Sequence, residues 1–240
     1  MTFTTGNYTD MTKNLLINFE KILVPCGHRI ILICMDETAT RNLSMYDGLE
    51  WVVFQSRELN TQMNISTFDT PSFNILNSFK PTLLKELLET YNELYWTDSD
   101  IVFYQDPEPY IRSMNKELIF QQDSEEDTYR LCTGNFYMKR TEATLRFFTS
   151  WIENLQQNPT MNEQILLNTV VHRHFGSFFK IPWLDGGVFP PEKFQRGHDA
   201  FKLKWWRRED KVCIHVNYIE GFENKKEALK ILQEWRVEDS

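Results

Sequence analysis

"LYWTDSDIVFYQDP" (residues 94–107) decides how the rest of this chain reads. Leu94, Tyr95 and Trp96 on one side, and Ile101, Val102 and Phe103 on the other, predict two buried strands around a polar break. Asp98 and Asp100 stand in that break. A carboxylate taken out of water is costly unless a cation or hydrogen-bond donors compensate it. The break is therefore either an ordinary exposed turn or a sheet edge where two carboxylates grip something positive. In extended backbone, residues i and i+2 point the same way, so Asp98 and Asp100 can face one ion. Two hard carboxylates suit Mg²⁺ or Mn²⁺, and they repel each other when no cation is bound.

On both sides of this stretch, strands alternate with helices. "MTFTT" at the start is a short strand, followed by a helix through Leu15, Leu16, Phe19, Ile22 and Leu23. "RIILICM" (residues 29–35) is the continuous apolar run of a strand covered on both faces, and "EWVVF" (residues 50–54) is a third strand. Pro81 suits the first turn of a helix continuing through "TLLKELLETY". After the opening stretch come strands at 117–123 and 129–139, helices near 144–155 and 162–172, a strand in "KVCIHVN", and a helix over about 225–236. This order predicts a mixed, mostly parallel α/β sheet flanked by helices. Ligands of such sheets sit beyond the carboxyl ends of the strands. That rule gathers "TTGNY", the loop carrying Asp36, and "DSD" on one rim. No GxGxxG or GxxxxGK[ST] occurs in the chain, so neither the usual dinucleotide fingerprint nor a P-loop is present.

Composition narrows the classes further. A chain of 240 residues, 41% hydrophobic, can bury a substantial core, and a net charge of −8 argues against a nucleic-acid partner. No apolar run is long enough for a membrane span, and the first residues lack the basic and apolar regions of a secretory signal. A cytoplasmic location is the expectation. Cys26, Cys34, Cys132 and Cys213 form no CxxC pair and read as free thiols. The Asn-x-Ser/Thr triplets at Asn7, Asn42 and Asn64 read as chance without a signal.

Four segments in order, "SFKPTLLKELLETYNELYWTDSDIVFYQDP", "LCTGNFYMKRT", "NEQILLN" and "HVNYIEG", resemble the nucleotide-diphospho-sugar transferase family. The resemblance covers most of the chain. It implies a single GT-A (Rossmann-like) domain over residues 1–240, with a nucleotide-binding half over about 1–105. The acceptor half, about 106–240, would include the C-terminal metal-ligand segment. It also implies transfer of a sugar from a nucleotide diphosphate, UDP being preferred, to a hydroxyl of a glycan or glycoprotein acceptor, with Mn²⁺ or Mg²⁺.

On this resemblance Asp98-Ser99-Asp100 looks like the DxD motif, and His215 matches the histidine that completes the metal site. Gly221 and Lys225, or its neighbour Lys226, would meet the diphosphate, unless these lysines are solvated helix residues. Thr5, Gly6, Asn7 and Tyr8 resemble the loop that cradles base and ribose. Asp36 either contacts the nucleotide or caps a helix. Lys80 resembles a basic donor-binding residue or is an exposed lysine. "CTGNF" departs from the family's NTGFF at Cys132 and Asn135. Asp123, Glu163 and Gln164 correspond to polar positions near the donor sugar, with Glu where Asp is usual. "WLDGGVFPP" offers Asp185, aromatics and a flexible Gly pair to an acceptor, or simply fills core. Inversion would need a base, with Asp185, Glu163 and Asp123 as candidates, whereas retention needs none if the leaving diphosphate takes the proton. A noncatalytic nucleotide-sugar-binding module and a metal-dependent phosphohydrolase are the alternatives.

Overall fold

The apolar run at residues 30–34 becomes the strand on which the first part of the fold hangs. The computed structural model describes residues 1–57, 69–124 and 130–238; the Asn64 triplet and Tyr129, expected in a strand, lie outside the described residues. The first elements are β1 (Thr2–Thr4), α1 (Thr9–Ile22), β2 (Ile30–Cys34), α2 (Glu37–Leu43), β3 (Val52–Ser56) and α3 (Pro71–Thr90). There follow β4 (Glu93–Thr97), β5 (Ile101–Phe103), α4 (Glu108–Met114), β6 (Leu118–Gln122), β7 (Leu131–Lys139), α5 (Glu142–Gln157) and α6 (Glu163–Phe175). The last are β8 (Gly186–Val188), β9 (Phe194–Arg196), α7 (Gly197–Lys202), β10 (Cys213–His215) and α8 (Phe222–Ile231).

Two compact units result. The first comprises the described parts of Met1–Ser66, Thr97–Pro107 and Glu192–Ser240. Its sheet β1-β2-β3 is wholly parallel, with Thr2 opposite Leu32 and Ile30 opposite Val52. Every residue of β2 is buried, as its unbroken apolar run requires. A second sheet, β5-β10-β9, pairs β10 antiparallel to β5 and parallel to β9. Met11, Val102, Ile214 and Leu229 meet in one buried cluster beside it, each worth about 1.5–3 kcal/mol of apolar burial.

The second unit comprises the described parts of Thr67–Trp96 and Glu108–Pro191, with the sheet order β4-β7-β6-β8. Phe120, Phe136, Phe147 and Phe178 pack as stacked and edge-on rings, the closest pair 4.7 Å apart between centroids. β6 and β7 run antiparallel, and their register breaks where Phe120 faces Phe136 but Gln121 faces Cys132. Thr133, Gly134 and Asn135 thus bulge out of the ladder.

Three expectations need correction. The proline at the start of α3 is Pro71, not Pro81: Thr70 caps the helix through Phe73 N–H, and Pro81 lies buried inside it. The run of buried leucines at 83, 84, 87 and 88 holds the helix together past the missing N–H. The Gly pair is not a flexible segment, because Gly186 and Gly187 are residues of β8. A Cβ on Gly186 would lie 2.4 Å from the Phe178 ring, so packing excludes any larger side chain. The last helix spans Phe222–Ile231 rather than about 225–236, since Gln233 turns into the left-handed region at φ 60°. None of the four cysteines is in a disulfide, and no helix among the described residues is long and apolar enough to cross a membrane.

Candidate active site

The loops after β1 and β2 meet as the rim rule requires, through Asp36. Its Oδ1 accepts from Ala39 N–H at 2.7 Å, capping α2, and its Oδ2 accepts from Gly6 N–H at 2.8 Å. Of the two readings of Asp36, the helix cap is the one observed, and the same side chain ties the Thr5–Tyr8 loop to α2. Gly6 is glycine for a local reason: a Cβ would stand 2.6 Å from Thr38 Cγ2. Thr5 is buried, Asn7 exposed and Tyr8 half-buried.

The two aspartates are held at a sheet edge. β5 begins one residue after Asp100, and β10 pairs with it so that His215 lies opposite Ile101. Val216 N–H donates to the Asp100 carbonyl at 3.0 Å and closes the register. His215 Nε2 then stands 3.2 Å from Asp100 Oδ1 and 3.9 Å from Asp98 Oδ2. One ligand atom from each of the three residues fits within 4.8 Å of the others. Two carboxylate oxygens and an imidazole nitrogen form a donor set suited to Mn²⁺ or Mg²⁺. Asp100 and His215 are buried, and Asp98 is partly open.

The structure adds a cation of its own. Lys225, in the first turns of α8, places Nζ 2.5 Å from Asp100 Oδ2, while Lys226 turns to the Trp235 ring at 5.3 Å. Burial pushes the Asp100 carboxyl up, but Lys225 and then His215 outweigh it and hold the group far below the usual carboxylate range. Burial lowers the Lys225 ammonium, and Asp100 more than reverses this, so it rises above the ordinary lysine value. Burial raises the Tyr8 phenol against the Lys225 charge and together with that of Asp100, which places Tyr8 within electrostatic reach of the pair. The uncompensated repulsion expected of the aspartates without an ion is thus corrected by Lys225. Gly221 is the N-cap of α8, at φ 82°.

The second unit holds a separate buried polar network built on the β7 bulge. Lys80 is 1% exposed, not a surface lysine. Its Nζ donates to Glu163 Oε1 at 2.7 Å and to the bulge carbonyl of Thr133 at 3.1 Å, and it lies 5.2 Å from the Trp96 ring centroid. Thr133 hydroxyl donates to Glu163 Oε1 at 2.8 Å, and Thr133 N–H donates to Gln164 Oε1 at 2.9 Å. Glu163 serves here as the counter-ion of Lys80. Gln164 has its amide oxygen engaged by Thr133, which leaves its NH₂ as the donor end of the amide. Asn135 accepts from the Tyr95 hydroxyl at 2.5 Å, and Asp123 is buried just past the carboxyl end of β6.

Asp185 is not among these residues. It is exposed, bound to Lys116 at 2.6 Å, and stands level with Glu117 at the opposite end of β6. Six residues of strand at about 3.3 Å each, roughly 20 Å, separate it from Asp123. Thr133 was not singled out in the sequence; the Gly134 that follows it, inside an otherwise apolar strand, was the available sign of a bulge.

The α/β fold is that of solved GT-A glycosyltransferases. The solved galactosyltransferase LgtC, in complex with donor and acceptor sugar analogs, superposes with a TM-score of 0.59 at 10% identity, covering 99% of this chain and 96% of that one. A glycosyltransferase involved in glycosylating the major capsid of PBCV-1 gives 0.55 at 11% identity, over 95% and 98% of the two chains. The chain belongs to the nucleotide-diphospho-sugar transferase family, whose sequence profile matches residues 27–229. It is 25% identical to a UDP-galactose:fucoside alpha-3-galactosyltransferase of Dictyostelium discoideum, over 97% of this chain and 42% of that protein. It is also 25% identical to a UDP-D-xylose:L-fucose alpha-1,3-D-xylosyltransferase of Arabidopsis thaliana, over 72% of this chain and 52% of that one. The chain thus spans about half the length of these relatives.

Proposed function

We propose that this protein transfers a sugar, galactose or xylose, from a UDP-sugar to a hydroxyl of a fucose-bearing glycan or glycoprotein, using Mn²⁺ or Mg²⁺. The observation that carries this is the convergence of Asp98, Asp100 and His215 in a chain of this family. These three residues would hold the cation, which supplies positive charge to the departing diphosphate. Lys225, already on Asp100, adds a second positive charge reaching toward the same phosphates. Ser99 and Gly221 offer backbone close to the diphosphate, and Thr5, Gly6, Asn7 and Tyr8, steadied by Asp36, face base and ribose.

In the second unit, Asp123, Asn135 and the NH₂ of Gln164 contact the transferred sugar. Lys80 and Glu163 act through that network, fixing Thr133 and hence the Gln164 amide. An alpha product from an alpha-linked UDP-sugar is retention, in which the leaving diphosphate accepts the acceptor proton and no carboxylate base is required.

The test is direct. UDP-galactose and UDP-xylose are each incubated with Mn²⁺ and a p-nitrophenyl fucoside, and the product is read by mass spectrometry. A product heavier by one hexose or pentose supports the reading. UDP-sugar hydrolysis at the same rate with and without acceptor favours the hydrolase. Saturable UDP binding without any turnover favours the binding module.

A further inference from the structure

At the rim that carries His215, two strands end side by side. β9 and β10 run parallel with Arg196 opposite His215, so the residues that follow leave the sheet at the same end. The two exits are joined: Gly197 N–H donates to Asn217 Oδ1 at 3.0 Å, and a Cβ on Gly197 would stand 2.3 Å from the Asn217 carbonyl oxygen. His198 and Tyr218 therefore emerge together, their rings edge to face with centroids 6.4 Å apart. Both face solvent, the His198 side chain 41% exposed and Tyr218 56% exposed.

Tyr218 has φ 62°, in the left-handed region, where a bulky residue costs of order 1 kcal/mol or more and glycine costs nothing sterically. Its largely exposed ring recovers little of that by burial. His198 is oriented from beneath. Asp199 is fully buried, gripped by Arg196 Nε and Nη2 at 2.6 and 2.7 Å, and its Oδ1 lies 3.3 Å from His198 Nδ1. A proton on Nδ1 donated to that carboxylate leaves Nε2, across the ring, as an acceptor for a hydroxyl.

We propose that His198 and Tyr218 form the subsite for a neutral acceptor sugar. Tyr218 takes the C–H face of a pyranose, and His198 Nε2 accepts a hydrogen bond from one of its hydroxyls. The proposal rests on the glycosyltransferase reading above. Position supports it, since Tyr218 lies three residues beyond the candidate ligand His215, and His198 lies two beyond its register partner. An acceptor hydroxyl must come to the sugar carbon attached to the diphosphate, so a sugar-sized platform beside the cation ligands is where an acceptor is needed. The pair offers a ring face and an imidazole nitrogen within reach of a hydroxyl, which fits an uncharged glycoside.

The experiment uses the full chain loaded with UDP and Mn²⁺, with methyl α-L-fucoside, methyl β-D-galactoside and methyl β-D-xyloside as probes. Glycoside binding is read by saturation-transfer NMR, and UDP binding by calorimetry. At least one glycoside binds the unaltered protein. Tyr218→Ala weakens it about tenfold or more and Tyr218→Phe restores it, as a ring-face contact requires. His198→Gln weakens it several-fold, and UDP affinity stays within about twofold in all three variants. Glycoside binding that survives both Tyr218→Ala and His198→Gln overturns the proposal, as does a UDP-loaded protein that binds none of the probes. Failure of the unaltered protein to bind UDP with Mn²⁺ would instead remove the functional reading, and this subsite with it.

Discussion

Asp100→Asn tests the electrostatics of the rim before any ligand is added. The substitution is nearly isosteric, so it opens no cavity, and its main effect is to strip Lys225 of its counter-ion. Removing one partner of a fully buried pair costs about 3–5 kcal/mol. The Lys225 side chain keeps 20% exposure and can carry its ammonium toward water on a flexible stem, which brings the expected loss to about 2–3 kcal/mol. At about 2–4 °C per kcal/mol for a chain of this size, the melting temperature should fall by roughly 5–10 °C. The assay is calorimetric melting at pH 7 in chelator without nucleotide. The sign of the pH dependence follows from the depressed Asp100 carboxyl. Its stabilisation is complete above the unfolded value near 4 and is lost progressively as pH falls below it. The gap between the two proteins should therefore narrow below about pH 4. A variant melting at or above the unaltered protein in chelator would show instead that repulsion between Asp98 and Asp100 outweighs the Lys225 contact.

Other outcomes follow from the same contacts. Lys225→Met removes the internal competitor, so calorimetry should show tighter binding of Mn²⁺ alone and weaker binding of UDP with Mn²⁺; unchanged Mn²⁺ affinity would contradict the assignment. Lys80→Met should cost about 3–5 kcal/mol in urea unfolding by leaving Glu163 buried without its cation, and adding Glu163→Leu should recover part of that loss. Full additivity of those two changes would show that they are not coupled. Gly6→Ala should lower stability by about 1–3 kcal/mol, because its Cβ meets Thr38, and a neutral result would remove the steric reading of that loop.

Much of this was legible in the sequence because burial leaves a strong pattern. The continuous run at 30–34 and the apolar flanks of the DSD break gave β2, β4 and β5, and the rim rule brought Asp36 and the Gly6 loop together. His215 was placed by resemblance, and the antiparallel register with β5 is what brings it to Asp100. The rest depended on interactions remote in sequence. Nothing local distinguishes Lys225, which meets Asp100, from Lys226, which meets Trp235, or tells that Lys80 is buried against Glu163. The short strand β9, with Gln195 and Arg196 both buried, carries polar residues that no apolar pattern reveals. Pro81 misled because proline more often starts a helix than continues one, and only the packing of α3 carries the helix through it.

If Asp98, Asp100 and His215 hold a cation that UDP requires, UDP binding must differ with and without Mn²⁺. Calorimetry and thermal melting are run on the unaltered chain and on Asp98→Asn and His215→Ala, each in Mn²⁺ and in excess chelator. The predicted result is saturable UDP binding in Mn²⁺, with a stabilisation of about 2.7 kcal/mol at a hundredfold excess over Kd. It should disappear in chelator and fall steeply in both variants. Equal UDP binding in chelator, or undiminished binding by His215→Ala in Mn²⁺, would contradict the metal-bridged site.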